Sequence, residues 1–177
     1  MPVIKFLKKI LLVIELFFVV LFVHWDKVLF AAIISIDQFC KGLIVGSMVP
    51  GESIPIIQHV FHLTYVLNPG AAFGILPNQR IFFLLAGGAL LIGAAYIYPK
   101  LKKTDGVLKF GMITLIGGAA ANLIDRIQIG LVVDFIDFRV WPVFNIADIA
   151  IVVGMFVMIY AILFKMGEVG GIEEVRR

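Results

Sequence analysis

Two carboxylates in this chain sit where a carboxylate is costly. Asp148 lies in FNIADIAIVVG (residues 144–154), at the head of a stretch with no further charge until Lys165. Asp134 lies inside the apolar run LVVDF. On insertion scales an acid at membrane depth costs roughly 2.5–3.5 kcal/mol, so such acids mark function by default. Neither has an obvious cationic partner in the sequence around it. Two carboxylates that share a site cannot both ionise, and the pair holds one proton between them. The ionised member can take a proton from water while the protonated member donates to a carbonyl oxygen. That is the acid–base requirement of amide hydrolysis without a metal or a covalent intermediate. Asn145, three residues before Asp148, shares its helix face and can orient it or a substrate carbonyl.

The other polar residues of the apolar segments gather in the same layer. Asp37 and Lys41, in DQFCK, are four apart and can pair on one helix face. Asn68 stands in VLNPGAAFGIL, and Asn122, Asp125 and Arg126 stand together in NLIDR. Asp37–Lys41 and Asp125–Arg126 are read as ion pairs or hydrogen-bonding braces, because opposite charges buried together largely offset each other. Asp137, closer to Arg139, is expected to be solvated.

Other chemistries find less support. His59 and His62 are three apart, which on a strand puts them on opposite faces, and no metal site is expected. Cys40 is the single cysteine, which rules out an internal disulfide and is expected to be a buried, inert thiol. GGALLIG lacks the lysine of a phosphate loop, and no serine sits in a nucleophile elbow. The basic residues flank apolar segments, so nucleic-acid binding is not expected.

The elements that must position these residues are membrane helices. The chain has 177 residues, of which 62% are hydrophobic and 15% charged. A soluble domain carries about 25% charge. Segments at about 28–49, 81–98 and 144–164 approach the roughly 20 apolar residues of a span. A fourth, about 108–124, is helped by the small residues from Gly117, which allow close helix packing. Gly87, Gly88 and Gly93 are expected to do the same in the second span. Lys5, Lys8 and Lys9, then Lys100, Lys102, Lys103 and Lys109, then Lys165, Arg176 and Arg177 all fall on one side of a four-span chain. The positive-inside rule makes that side cytoplasmic. No span then carries an acid near its cytoplasmic end, and the polar layer lies at the extracytoplasmic face. Residues 10–25 are apolar but carry Glu15, and read as an interfacial helix or a cytoplasmic lead-in. The outward segment of about 50–78 is rich in β-branched and aromatic residues and is broken by Pro55, which predicts a small β-rich lobe.

The expected fold class is an all-α integral membrane protein with four transmembrane helices and that small extracytoplasmic lobe. The domains expected are a lead-in over 1–27, a membrane domain over 28–165 and a cytoplasmic tail over 166–177.

DQFCK, VLNPGAAFGIL, GGAAANLIDRIQIGLVVDFIDF and FNIADIAIVVG together resemble, in order and approximate spacing, the signature blocks of bacterial lipoprotein signal peptidase, or signal peptidase II. The resemblance runs from about Asp37 to the end of the last span. It implies an aspartic endopeptidase of the bacterial cytoplasmic (inner) membrane, multi-pass, with no cofactor and acting as a monomer. Its substrates would be diacylglyceryl-modified prolipoproteins, cut just before the lipidated cysteine, with membrane lipids as further partners. By the same resemblance Asp134 and Asp148 are the catalytic pair, and Asn68, Asn122, Arg126 and Asn145 line the site. Asp37 and Lys41 brace it, and Asp125 supports it. Two other classes compete. A small proton-coupled transporter would place acids at mid-membrane, with internal repeats. A non-catalytic helical subunit would use the acids only for pairing.

Overall fold

The computed structural model describes residues 9–11, 13, 15, 23–70, 77–102 and 104–175, with side chains described up to residue 164. Most of the lead-in, the cytoplasmic tail's side chains, and Lys5, Lys8, Lys103, Arg176 and Arg177 therefore lie outside the described residues. So do residues 71–76 of the VLNPGAAFGIL block.

Four helices are long and apolar enough to cross a membrane. They are α1 (Trp25–Ser47), α2 (Arg80–Ile97, extended by a 3₁₀ turn at Tyr98–Lys100), α3 (Gly106–Gln128) and α4 (Ile146–Val175). The chain is a multi-pass membrane protein. α3 is the hub, packing against α1, α2 and most extensively α4. Small residues explain the last contact. A Cβ on Gly118 would strike the Ala147 carbonyl, one on Gly154 would strike the backbone of Leu115, and one on Gly111 would lie 2.9 Å from the Gly154 carbonyl oxygen. Such contacts let backbones approach with no side chain between them. In α2 only part of the expected packing occurs. A Cβ on Gly87 would meet Leu123 at 3.0 Å, whereas Gly88 and Gly93 face open space.

α1 begins earlier than the hydropathy suggests and so takes in Asp26. This corrects the expectation that no span carries an acid at that end. Asp26 accepts a hydrogen bond from the Tyr98 hydroxyl at 2.8 Å, tying α1 to the end of α2.

At the opposite end of the bundle lies a three-stranded antiparallel sheet in the order β1 (Ser53–Ile57), β2 (Phe61–Asn68), β3 (Val132–Asp137). Its third strand comes from the α3–α4 connection, beyond the 50–78 segment whose composition predicts the β-rich lobe. β2 and β3 pair with Val66 opposite Asp134 and Asn68 opposite Val132. The two-residue alternation of VVDFID sends Val133 and Phe135 into a core with Ile44, Met48 and Tyr65, welding the sheet to the end of α1. The same alternation turns Asp134 to the other face, beside Val66 and Asn68. Cys40 packs against this core but is only half-buried.

Candidate active site

The sheet face bearing Asp134 and the first turn of α4 bearing Asp148 converge on one cavity of about 1180 Å³. Its wall near the carboxylates includes Asn68, Asn122 and Arg126, and it continues between α2, α3 and α4 over apolar residues such as Leu90, Leu123 and Val152.

The local sequence explains how Asp148 is held. Asn145 stands just before α4, and its side-chain oxygen accepts the Asp148 backbone N–H at 2.8 Å. The Asp148 carboxylate reaches back to accept the Asn145 N–H at 3.2 Å. This is a reciprocal capping box built from N-x-x-D. Asp37 of α1 serves a neighbouring donor, accepting the Ala147 N–H at 2.9 Å. Two carboxylates at a helix N-terminus are also favoured by the helix dipole.

Asn145 is fully buried and touches both acids. Its amide nitrogen donates to Asp134 at 2.7 Å, while its backbone N–H donates to Asp148. Asn68 donates to the second Asp134 oxygen at 2.9 Å, and Asn122 donates to Asp148 at 2.7 Å. The orientation of Asn122 is fixed from behind. Its side-chain oxygen accepts from Lys41 at 2.9 Å and from Asn145 at 3.1 Å, which leaves its nitrogen for Asp148.

Lys41 is 3% exposed and bonds Asp37 and Asp125 at 2.8 Å each. The expected Asp37–Lys41 pair therefore forms. The expected Asp125–Arg126 brace does not, because adjacent residues on a helix do not face each other. Asp125 instead takes Lys41, the Gln38 amide at 2.7 Å and the Val133 N–H at 3.1 Å. Arg126 turns to the cavity, donating to the Gly70 carbonyl at 2.9 Å with its guanidinium 4.6 Å from the Phe83 ring. Asp137 is a second correction. It is 4% exposed, not solvated, and accepts from the Thr64 hydroxyl at 2.7 Å and from the backbone and side chain of Arg139. Burial raises its pKa, but these bonds and the Arg139 charge outweigh burial and hold it below the usual carboxylate range.

Three residues that the sequence reading did not assign also shape the site. Gln38 sits inside the quoted DQFCK block, and its amide in a charged apolar span was the available signal. Arg80 donates to the carbonyls of Arg126 and Ile127, capping the end of α3 and fixing α2 beside it. Phe83 gave no signal among so many aromatic residues.

Asp134 is 1% exposed, and its pKa is pushed up to about 7. Burial is the main cause and the negative charge of Asp148 adds to it, against the pull of Asn68, Lys41 and Asn145. The folded protein thus holds this proton more tightly than an unfolded chain titrating near 3.8. The resulting stabilisation is full below about pH 4 and is lost as pH rises through about 7. In detergent, melting temperature should fall by several degrees from pH 5 to pH 8, and Asp134→Asn should flatten that slope. A melting temperature that rises over this range would show that Asp134 is not the group retaining the proton.

Fold and site together define a four-helix membrane enzyme whose paired carboxylates sit at one end of the bundle. A family model described as signal peptidase (SPase) II matches residues 29–164. The lipoprotein signal peptidase of Pelotomaculum thermopropionicum is 44% identical over 136 residues, covering 77% of this chain and 90% of that protein. That of Moorella thermoacetica is 46% identical over 140 residues, covering 78% and 92%. A solved structure described as "Bacterial membrane enzyme structure by the in meso method at 2.3 A resolution" superposes with a TM-score of 0.79 at 32% identity, covering 83% of this chain and 92% of that one. The chain belongs to the signal peptidase II family. Nothing in these similarities favours a transporter.

Proposed function

We propose that this chain removes the signal peptide from diacylglyceryl-modified prolipoproteins, cutting just before the lipidated cysteine, with Asp134 and Asp148 as its catalytic pair. The observation that carries the reading is Asn145 bridging two buried-edge carboxylates at the head of an apolar cavity. The ionised aspartate takes a proton from water as the water oxygen bonds to the carbonyl carbon preceding the cysteine. The protonated aspartate gives its proton to the carbonyl oxygen. In the second step the aspartate left ionised takes a proton from a hydroxyl of the tetrahedral adduct as its carbonyl re-forms and its C–N bond breaks, and the other aspartate gives its proton to the departing cysteine nitrogen, which returns the pair to one proton. Asn68, Asn122, Asn145 and Arg126 orient the carboxylates and the substrate and transfer no proton. Asp37, Lys41 and Asp125 hold the frame.

The site belongs to the extracytoplasmic face of the cytoplasmic membrane. Support comes from Lys100, Lys102 and Lys109, which cluster at the opposite ends of α2 and α3, where the positive-inside rule puts the cytoplasm. A lipid-anchored substrate would have its scissile bond at this depth, with its acyl chains along the apolar part of the cavity.

Cleavage should therefore depend on the lipid. Burying acyl methylenes gains about 0.8 kcal/mol each. Four of them correspond to roughly 200-fold, so the purified protein should cut an unlipidated peptide at least about a hundredfold more slowly than its lipidated form. Equal rates on the two peptides would refute this basis of specificity.

A further inference from the structure

Arg126 is surrounded by carboxylates and bonded to none of them among the described residues. Asp148, Asp134 and Asp125 all act on it electrostatically. Its partners are nevertheless neutral: the Gly70 carbonyl at 2.9 Å, the Asn122 carbonyl at 3.4 Å and the face of Phe83 at 4.6 Å. Lys41 behaves differently, closing on Asp37 and Asp125 at 2.8 Å. A guanidinium beside uncompensated acids would be drawn onto them unless something held it back. The ring quadrupole of Phe83 supplies such a hold, and it is stronger in a desolvated setting. Phe83 reaches the cavity from α2, which Arg80 fastens to the end of α3.

We propose that Phe83 is a positioning residue for the reaction, keeping the Arg126 guanidinium on the cavity wall for an incoming carbonyl oxygen and off the Asp134–Asp148 pair. This rests on reading that pair as catalytic. The other charged groups around it are Asp37 and Lys41 of α1 and Asp125 of α3, a brace of two acids on one cation that keeps one net negative charge, and Arg80 of α2, which is held on the Arg126 and Ile127 carbonyls. Asp137 is engaged by Arg139. Arg126 is thus the cation whose displacement would reset the pair. Without the ring, the guanidinium would settle on the carboxylates and ease both ionisations, by about one pH unit or more for an opposite charge at close range.

The test is the pH profile of kcat/KM for a lipidated peptide, measured on the full chain and on Phe83→Leu, Phe83→Met and Phe83→Tyr. Phe83→Leu and Phe83→Met should move both limbs to lower pH by about one unit or more, and Phe83→Tyr should restore the parent profile. Folded Leu and Met variants with the parent profile would overturn the proposal, as would loss of folding in both, which would make the ring a packing element. Asp134→Asn and Asp148→Asn run alongside. If either retains full turnover, the catalytic pair itself is wrong. If both are inactive and the Phe83 profiles stay put, only the role of Phe83 fails.

Discussion

Asp134→Asn and Asp148→Asn should each reduce turnover by at least the roughly 10²–10⁴-fold typical of a general acid–base residue. The loss should be larger where the two act as a unit, and the double variant should be little worse than either single one. The amide keeps the shape of the carboxylate and one of its two acceptor oxygens, but it cannot exchange a proton. Each carboxylate takes a donor on each oxygen, so the amide keeps one of the two: Asn145 or Asn68 in Asp134→Asn, and Asn122 or the Asn145 N–H in Asp148→Asn. Folding should survive, because the repulsion between two facing acids is relieved. Asp137→Asn is the control. Asp137 is buried and joins β2 to the turn at Arg139, so its replacement should lower melting temperature while most turnover remains. Should Asp137→Asn abolish turnover while Asp134→Asn leaves it intact, the chemistry belongs to a different carboxylate.

Lys41→Met should be the most damaging single change to the fold. Lys41 pairs with both Asp37 and Asp125, and those acids in turn hold the first turn of α4 and the start of β3. Removing one partner from a buried ion pair typically costs about 3–5 kcal/mol, because the remaining charge is left uncompensated. Here one cation leaves two carboxylates behind. Thermal unfolding in detergent should show a drop of about 6–20 °C, at roughly 2–4 °C per kcal/mol for a chain of this size. Adding Asp37→Asn and Asp125→Asn to Lys41→Met should recover much of the loss. A single variant that melts like the parent would mean the brace contributes little.

Much of this arrangement was legible in the chain itself. Hydropathy located four spans, and the cost of burying an acid singled out Asp134 and Asp148 before any geometry was known. The i,i+4 spacing of Asp37 and Lys41 predicted their pair. What escaped the sequence depends on contacts between distant segments. Asp125 meets Lys41 because α1 and α3 pack side by side, and no local spacing announces that. Asp137 reads as solvated because Arg139 follows it, yet it is covered by Thr64, far away in the chain and adjacent only once β2 pairs with β3. The capping box at Asn145 is present in N-x-x-D, but the spacing by itself expresses only a shared helix face. Gly154 resembles any other glycine of an apolar helix until Leu115 is laid against it.

The central claim is that Asp134 and Asp148 hold one proton as a coupled pair, and infrared titration of the protonated carboxyl band tests it most directly. In the parent protein a buried carboxyl should lose its proton with a midpoint near 7. Asp148→Asn removes the neighbouring negative charge, so that midpoint should fall, and Asp134→Asn should remove the Asp134 signal altogether. A band absent throughout at pH 5 and above, or a midpoint that Asp148→Asn leaves unmoved, would contradict a shared proton.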